Sequence, residues 1–193
     1  MAVNVSNIVV GEAVVKTGNS NITMTNSDFD SLTDIGATSG GVEISWEPDM
    51  VDIEIDQYGD AAKVIQSRVK VMLKTTLAEA TLNNLALAWS YDRTTGGSDI
   101  INNNDGSNTR TFLFGTQSVY PREYALQVVG NAPGATATVT RARKFNTKRA
   151  VSFTSSMIAM KRAEAAMFEV QFRILPVTED TNYEYGKIID ATA

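Results

Sequence analysis

Apolar and polar residues alternate along two neighbouring stretches of the chain, residues 42–56 and residues 63–74, with Pro48 as an interruption in the first. A period of two is typical of a β-strand that turns one face towards a core. The polar segment QYGDAA, with Gly59 near its centre, separates the two stretches and favours a turn. The pattern therefore predicts a long β-hairpin over about 42–74.

The period changes in the segment that follows, TTLAEATLNNLALAWS, where leucines and a tryptophan recur at helical spacing among alanines. Alanine and leucine are strong helix formers. Thr76 and Glu79 stand three residues apart, which is the spacing of a capping box at a helix N-terminus. We therefore predict one amphipathic helix at about 77–89, packed on a sheet.

Residues 17–41 differ from these segments because they are rich in Thr, Ser, Asn, Asp and Gly. We expect a long polar arm or loop there, and a loop of such length usually has a function. A second loop is expected at 92–108, and a polar tail after Pro176. Apolar or alternating stretches predict further strands. These are residues 7–16, 109–119, 123–130, 135–145, 151–160 and 167–175.

Many strands, one helix and no internal repeat predict a mainly β fold, either a β-sandwich or a partly closed barrel with one flanking helix. A chain of 193 residues is long enough to bury a core, and we expect a single domain over 1–193.

The composition makes a catalytic site or a metal site less expected. The chain has no cysteine and no histidine, so disulfides, thiolate metal sites and histidine bases are excluded. No phosphate-binding loop, nucleophile elbow or dinucleotide motif occurs. We expect a protein that is not an enzyme and that has no cofactor and no metal. The N-terminal segment lacks the pattern of a secretory signal, and no stretch approaches the ~20 apolar residues of a membrane span. No association with a membrane is expected.

Charge is distributed unevenly, although the net charge is only -5. No lysine or arginine stands between Lys16 and Lys63, where ten acidic residues occur, whereas RARKFNTKR at 141–149 is strongly basic. Acidic and basic strands could neutralise each other side by side in one sheet. Alternatively, an acidic end and a basic end would suit head-to-tail contacts between copies. Nucleic-acid binding is disfavoured, because the whole chain is acidic and few aromatic residues accompany the arginines.

The acidic residues of VDIEID, at 51–56, could likewise be neutralised by bases of a neighbouring strand or form a charged surface. A turn centred near residue 60 or 61 would pair them with bases of the returning strand. The expected neighbours are Arg68 or Gln66 for Glu54, and Lys70 or Arg68 for Asp52. If the face instead lines a channel, a negative wall repels phosphate, so that a polyanion passes without sticking. Both alternatives remain open at this point.

Three motifs in sequence order resemble the tail tube (major tail) proteins of bacteriophages. An IGAT-GG turn lies at 35–41, an acidic D-Q-G corner at 56–59, and an AE-T-NL helix at 78–85. The resemblance covers about residues 33–90, and the C-terminal part up to LPV is a looser match.

This resemblance implies a β-sandwich with a flanking helix whose copies form hexameric rings. The rings would stack head-to-tail into a hollow tube, with inner strands forming one barrel around the lumen. DNA would pass through the lumen during ejection, and a tape measure protein would fill it during assembly. Tail terminator and distal tail or baseplate proteins would bind the ends. The protein would assemble in the host cytoplasm and reside in the virion tail.

Carried onto this sequence, the resemblance makes the hairpin the candidate for lumen lining and ring stacking, and residues 17–41 the candidate inter-subunit arm. The lumen-lining candidates are Glu43, Asp52, Glu54, Asp56, Arg68 and Lys70. The inter-subunit and inter-ring candidates are Asp28, Asp30, Asp34, Asp60, Arg141, Arg143, Lys144, Lys148 and Arg149.

Other functions also fit the class of fold. A capsid decoration protein or the tube of a contractile secretion system would be another self-assembling β protein. A β-sandwich adhesin or carbohydrate-binding module would need exposed aromatic residues in its loops, and no aromatic cluster is evident in the sequence.

Overall fold

The computed structural model describes residues 11–23, 25–54, 61–93, 99–102, 109–115, 120–135, 141–154, 165–178 and 184–191. Its helices and strands, in chain order, are β1 (Val14–Asn19), α1 (Asn26–Asp30), β2 (Thr33–Asp34), β3 (Thr38–Glu54), β4 (Ala61–Leu77), α2 (Leu82–Ala88), β5 (Ile100–Asn102), β6 (Arg110–Phe112), β7 (Glu123–Asn131), β8 (Ala142–Ser152), β9 (Phe168–Ile174) and β10 (Lys187–Asp190).

One large antiparallel sheet dominates the fold and confirms the prediction of a mainly β protein. Its strand order is β2-β1-β7-β8-β9-β4-β3, with β10 paired to β8, while β5 and β6 form a separate two-stranded sheet. The sheet is not closed. It curls, however, because residues 35–37 join its two edge strands, and the amide of Ile35 donates to the carbonyl of Val15 at 3.0 Å.

The core lies on one face of this sheet, where α2 packs. Alternation explains the burial: in β9, FEVQFRI, every second side chain is buried and the polar residues between them are exposed or half-buried. The largest fully buried apolar side chains of this core are Leu73, Leu77, Leu87, Leu126, Phe172 and Ile174. The predicted hairpin is confirmed and is longer than expected, because both of its strands run for 17 residues.

The predicted helix begins later than expected. Leu77 belongs to β4, where it lies opposite Phe168 and is fully buried, so the chain cannot turn before it. The N-cap is Thr81, whose hydroxyl accepts from the amide of Asn84 at 3.2 Å. Glu79 makes no capping box with Thr76; its carboxylate accepts from the amide of Ala37 at 2.9 Å. The prediction of a cap at Thr76 was therefore wrong.

Residues 17–41 are not the long loop that their polarity suggested. β1 continues to Asn19, α1 and β2 follow, and β3 begins at Thr38. The large apolar side chain in α1, Phe29, is fully buried where α1 lies against β7, on the side of the sheet opposite the core. Phe29 anchors this mostly polar segment together with Ile35, which is buried in the core, and with Asp30, whose carboxylate accepts from Gln127 and Lys144.

The remaining predicted elements agree with the structure in part. β7 and β9 match the predicted strands, and α1 is a helix that the sequence pattern did not predict. β5 lies in the expected loop at 92–108, and β10 lies in the expected polar tail. Residues 7–10, 116–119, 136–140 and 155–160 of the predicted strands lie outside the described residues. No helix in the described part of the chain has the length and apolarity needed to cross a membrane.

Candidate assembly surface

The β3–β4 hairpin projects beyond the sheet to which it belongs. β4 pairs with β9 only from Val71 to Leu77, and the rest of β4 pairs with β3 alone. Residues 46–54 and 61–70 therefore form a two-stranded extension, which we name the hairpin arm. Within the described residues no other strand pairs with either of its edges. Open edges of this length are a template for pairing with another chain.

The hairpin arm exposes apolar side chains on both of its faces. Two-stranded hairpins alone in water are marginally stable at best, and a cluster of exposed apolar residues usually marks an interaction site. The rings of Trp46 and Tyr185 meet nearly at right angles with their centroids 6.1 Å apart, and Trp46 still remains 58% exposed. The exposed large apolar residues of the arm are Trp46, Met50, Val51, Ile53, Val64 and Ile65.

The acidic residues of β3 lie on two faces. Each residue from Val42 to Glu54 has its own partner on β4, so side chains alternate along β3 without interruption. Over this stretch the irregularities fall on β4, where Ser67 and Ala62 are the extra residues. Glu43 therefore lies on one face with Glu47 and Asp49. Asp52 and Glu54 lie on the opposite face, with Val42, Ile44 and Trp46, so the expected single acidic row is divided.

The predicted cross-strand charge pairs were wrong. Asp52 lies opposite Val64 and Glu54 opposite Ala61, because the bases of β4 come into register nearer the base of the hairpin. Three ion pairs form on β4. They join Arg68 Nε to Asp49 Oδ2 at 2.8 Å, Lys70 to Glu47 at 3.5 Å, and Lys74 to Glu169 on β9 at 3.1 Å. Among the described residues, no base pairs with Asp52 or Glu54.

The structure thus separates the lumen candidates into two groups. Glu43, Arg68 and Lys70 share the face that carries the ion pairs, and Asp52 and Glu54 share the other face. Asp56 and Asp60 lie outside the described residues.

The basic strand β8 is largely neutralised within the chain. Arg143 donates two hydrogen bonds to Asp190, at 2.6 and 2.7 Å, and Arg149 donates two to Glu123, at 2.8 and 2.6 Å. Lys144 bonds Asp30 at 2.6 Å. These contacts hold the pKa of each of the three carboxyls below its ordinary value, chiefly through the hydrogen bonds from the bases. The geometry favours neutralisation between neighbouring elements over a separate basic end.

The remaining inter-subunit candidates also have local contacts. Asp28 accepts from the hydroxyls of Thr23 and Thr25, and the hydrogen bond from Thr23 is the main cause of its lowered pKa. Asp34 accepts from the amide of Gly36 at 2.9 Å. The other two candidates are bases: the guanidinium of Arg141 lies over Gly134, and Lys148 borders a small cleft beside Arg149. The sequence did not reveal these contacts, because partners such as Asp30 and Lys144 are far apart along the chain.

A cluster of aromatic rings that the sequence did not suggest forms beside α2. Trp89, Tyr91, Phe112 and Phe114 contact one another with ring centroids 5.3 to 6.3 Å apart. Phe114 remains 71% exposed. Tyr120, elsewhere on the described surface, is exposed as well. The cluster forms only when β6 folds against the end of α2. It could not be recognised in the sequence, because its members are far apart along the chain.

Two features of the described residues concern the chemistry of metal sites and of shifted titratable groups. No group of three or more acidic, histidine or cysteine side chains is placed to hold a metal ion there. Burial raises the pKa of Tyr124, whose hydroxyl donates to the carbonyl of Tyr91 and therefore has a structural use.

Comparison of the sequence with models of known protein families finds no match, and a search of curated proteins also finds none.

Proposed function

We propose that this chain is a structural protein that assembles with copies of itself into the tail tube of a bacteriophage. Copies would form rings, six to a ring by the resemblance, and the rings would stack into a hollow conduit for DNA. The observation that carries the proposal is the hairpin arm, which exposes apolar residues on both faces and whose two edges pair with no other strand of the described residues.

Assembly would give the arm the contacts that it lacks. Burying one large apolar side chain contributes about 1.5–3 kcal/mol, and several such residues lie close together on the arm. A neighbouring arm that added a strand to its open edge would satisfy backbone groups at the same time. Repeated around a closed ring, this pairing removes the edges altogether.

The charges of the arm suit a conduit. On one face, bases offset Glu47 and Asp49, whereas no base of the described residues forms an ion pair with Asp52 or Glu54 on the other. A lumen lined by this second face would be acidic near the end of the arm and would repel the phosphates of passing DNA. Tape measure, tail terminator and distal tail proteins are the further partners that this function requires.

Electron microscopy and sedimentation of the purified full chain test the proposal. We expect rings with a central hole, or tubes, whose amount rises with protein concentration. A chain that remains strictly monomeric at high concentration would contradict it.

The aromatic cluster favours a second function, that of a binding or adhesin module. Exposed aromatic rings stack on sugars and contact apolar surfaces, and Phe114 is available for this. A Phe114→Ala variant distinguishes the two functions. Unchanged tubes support the tube proposal, whereas a monomer that binds glycans only when Phe114 is present supports the module.

A further inference from the structure

The hairpin arm leaves the sheet at a defined point. β9 accompanies β4 only as far as Val71, which lies opposite Ile174, and the chain then turns away at Pro176. From Lys70 outwards, β4 pairs with β3 alone. Because a two-stranded hairpin is at best marginally stable in water, the direction of the arm depends on the contacts made at its base.

Tyr185 contacts both strands of the arm at this base. Its ring lies nearly at right angles to that of Trp46 on β3, a geometry that aromatic pairs favour. Its hydroxyl donates to the carbonyl of Val69 on β4 at 3.4 Å. Val69 lies opposite Pro48, which has no amide hydrogen to offer that carbonyl. The tyrosine therefore supplies a donor that the facing residue of the hairpin cannot.

The backbone that carries Tyr185 is fixed to β8 and not to the arm. The hydroxyl of Thr147 donates to the carbonyl of Tyr185 at 2.8 Å. The next residue, Gly186, lies so close to β8 that a Cβ there would clash with the carbonyl oxygen of Asn146. β10 begins directly afterwards and pairs with β8. Tyr185 is also half-buried against the core, so its ring joins the arm to the middle of the sheet.

We infer that Tyr185 is a positioning residue, which fixes the direction of the hairpin arm before copies assemble. This inference rests on the proposed self-assembly and names the residue that prepares the arm for it. An arm that is already ordered loses less conformational freedom when a neighbour pairs with it, so the same contacts between copies give tighter assembly. Tyr185 acts through Trp46 and Val69 of its own chain.

Hydrogen exchange in the dilute, unassembled full chain measures the order of the arm. Tyr185→Ala should speed exchange of the amides at 64–70 by about tenfold relative to those at 71–77, because both contacts at the base are lost. Tyr185→Phe keeps the ring and removes the hydroxyl, and should speed it about two- to threefold. Phe168→Leu is the matched control, since it weakens the same core opposite Leu77, at the end of β4 farthest from the arm. It should leave exchange at 64–70 unchanged.

Assembly of the same variants shows whether this order matters. The concentration needed for assembly, followed by sedimentation, should rise about tenfold for Tyr185→Ala and about two- to threefold for Tyr185→Phe. It should remain that of the unmodified chain for Phe168→Leu. An equal rise for Phe168→Leu would attribute the defect to a general loss of stability and would overturn the inference.

The two measurements separate the inference from the proposed function. Unchanged exchange in Tyr185→Ala would show that the arm is ordered without the tyrosine, and faster exchange with normal assembly would show that this order does not matter. Either result overturns the inference while the unmodified chain still forms tubes. Tyr185→Phe decides the question if Tyr185→Ala does not fold. Failure of the unmodified chain to assemble would instead count against the proposed function, and exchange would still decide whether Tyr185 holds the arm.

Discussion

The hairpin arm and the main part of the sheet use the same alternating pattern with different outcomes. In β9, every second side chain enters the core and the others face solvent. In the arm, both sets of side chains remain exposed. The polarity of β3 explains the difference: its second face is apolar at Trp46 and acidic at Asp52 and Glu54. Neither face of the arm is apolar throughout, so the arm cannot be buried against its own chain in the way that β9 is.

Truncations to alanine in the two regions should have very different effects on the monomer. Phe172→Ala leaves a cavity in the core and should lower the free energy of unfolding by about 3–5 kcal/mol. Val64→Ala removes atoms that already contact solvent, and should change it by less than about 0.5 kcal/mol. Chemical denaturation of dilute, unassembled protein measures both. A loss above about 1.5 kcal/mol for Val64→Ala would show that the arm folds back onto its own chain.

Charge placed on the arm should affect assembly and leave folding unchanged. Ile65→Asp puts a carboxylate where a neighbour would bury an apolar side chain. At about 2 kcal/mol per contact, it should raise the assembly concentration roughly 30-fold. Gln66→Asp is the matched control, because it adds the same charge one residue away at a polar position. Equal defects in the two variants would attribute the effect to net charge alone and would weaken the proposed apolar interface.

Local patterns predicted the strands of the hairpin and those of β7 and β9, because alternation is a property of neighbouring residues. They did not predict register or pairing. The basic partners of Asp30 and Glu123 lie far along the chain, on β8. The burial of the Nη1 atom of Arg93, which has no hydrogen-bond partner among the described residues, could not be recognised either, since it depends on elements that meet only in the fold. The sequence could have revealed that one face of β3 changes from apolar to acidic along the strand. Its even-numbered residues are apolar up to Trp46, whereas Asp52 and Glu54 are acidic.

The junction between β4 and α2 gives a smaller and sharper test of where the sheet ends. Thr81→Ala removes the hydroxyl that accepts from the amide of Asn84, and should cost about 1 kcal/mol of stability. Thr76→Ala, at the position where the sequence predicted the cap, should cost less because Thr76 is a strand residue opposite Glu169. Thermal unfolding of both variants decides between them. A larger loss at Thr76 would place the helix start where the sequence suggested.

The smallest expected difference concerns ion pairs. Glu123 is only about one-third exposed and accepts two hydrogen bonds from Arg149, so replacing it with Gln should cost about 0.5–1 kcal/mol at neutral pH. Glu47→Gln, in the exposed pair with Lys70, should have almost no effect.

The pH dependence of the Glu123 pair has a definite sign. The guanidinium of Arg149 lowers the pKa of Glu123 below its ordinary value of 4.5. Its contribution is therefore fully present above that value, and it is lost as the pH falls through the lower pKa of the folded protein. Denaturant unfolding from neutral pH down to about pH 3 should show the Glu123→Gln chain and the unmodified chain converging in stability. A difference in stability that persists at the lowest pH would mean that Glu123 acts through packing. The stronger effect expected for the Glu123–Arg149 pair than for the Glu47–Lys70 pair would then come from burial alone.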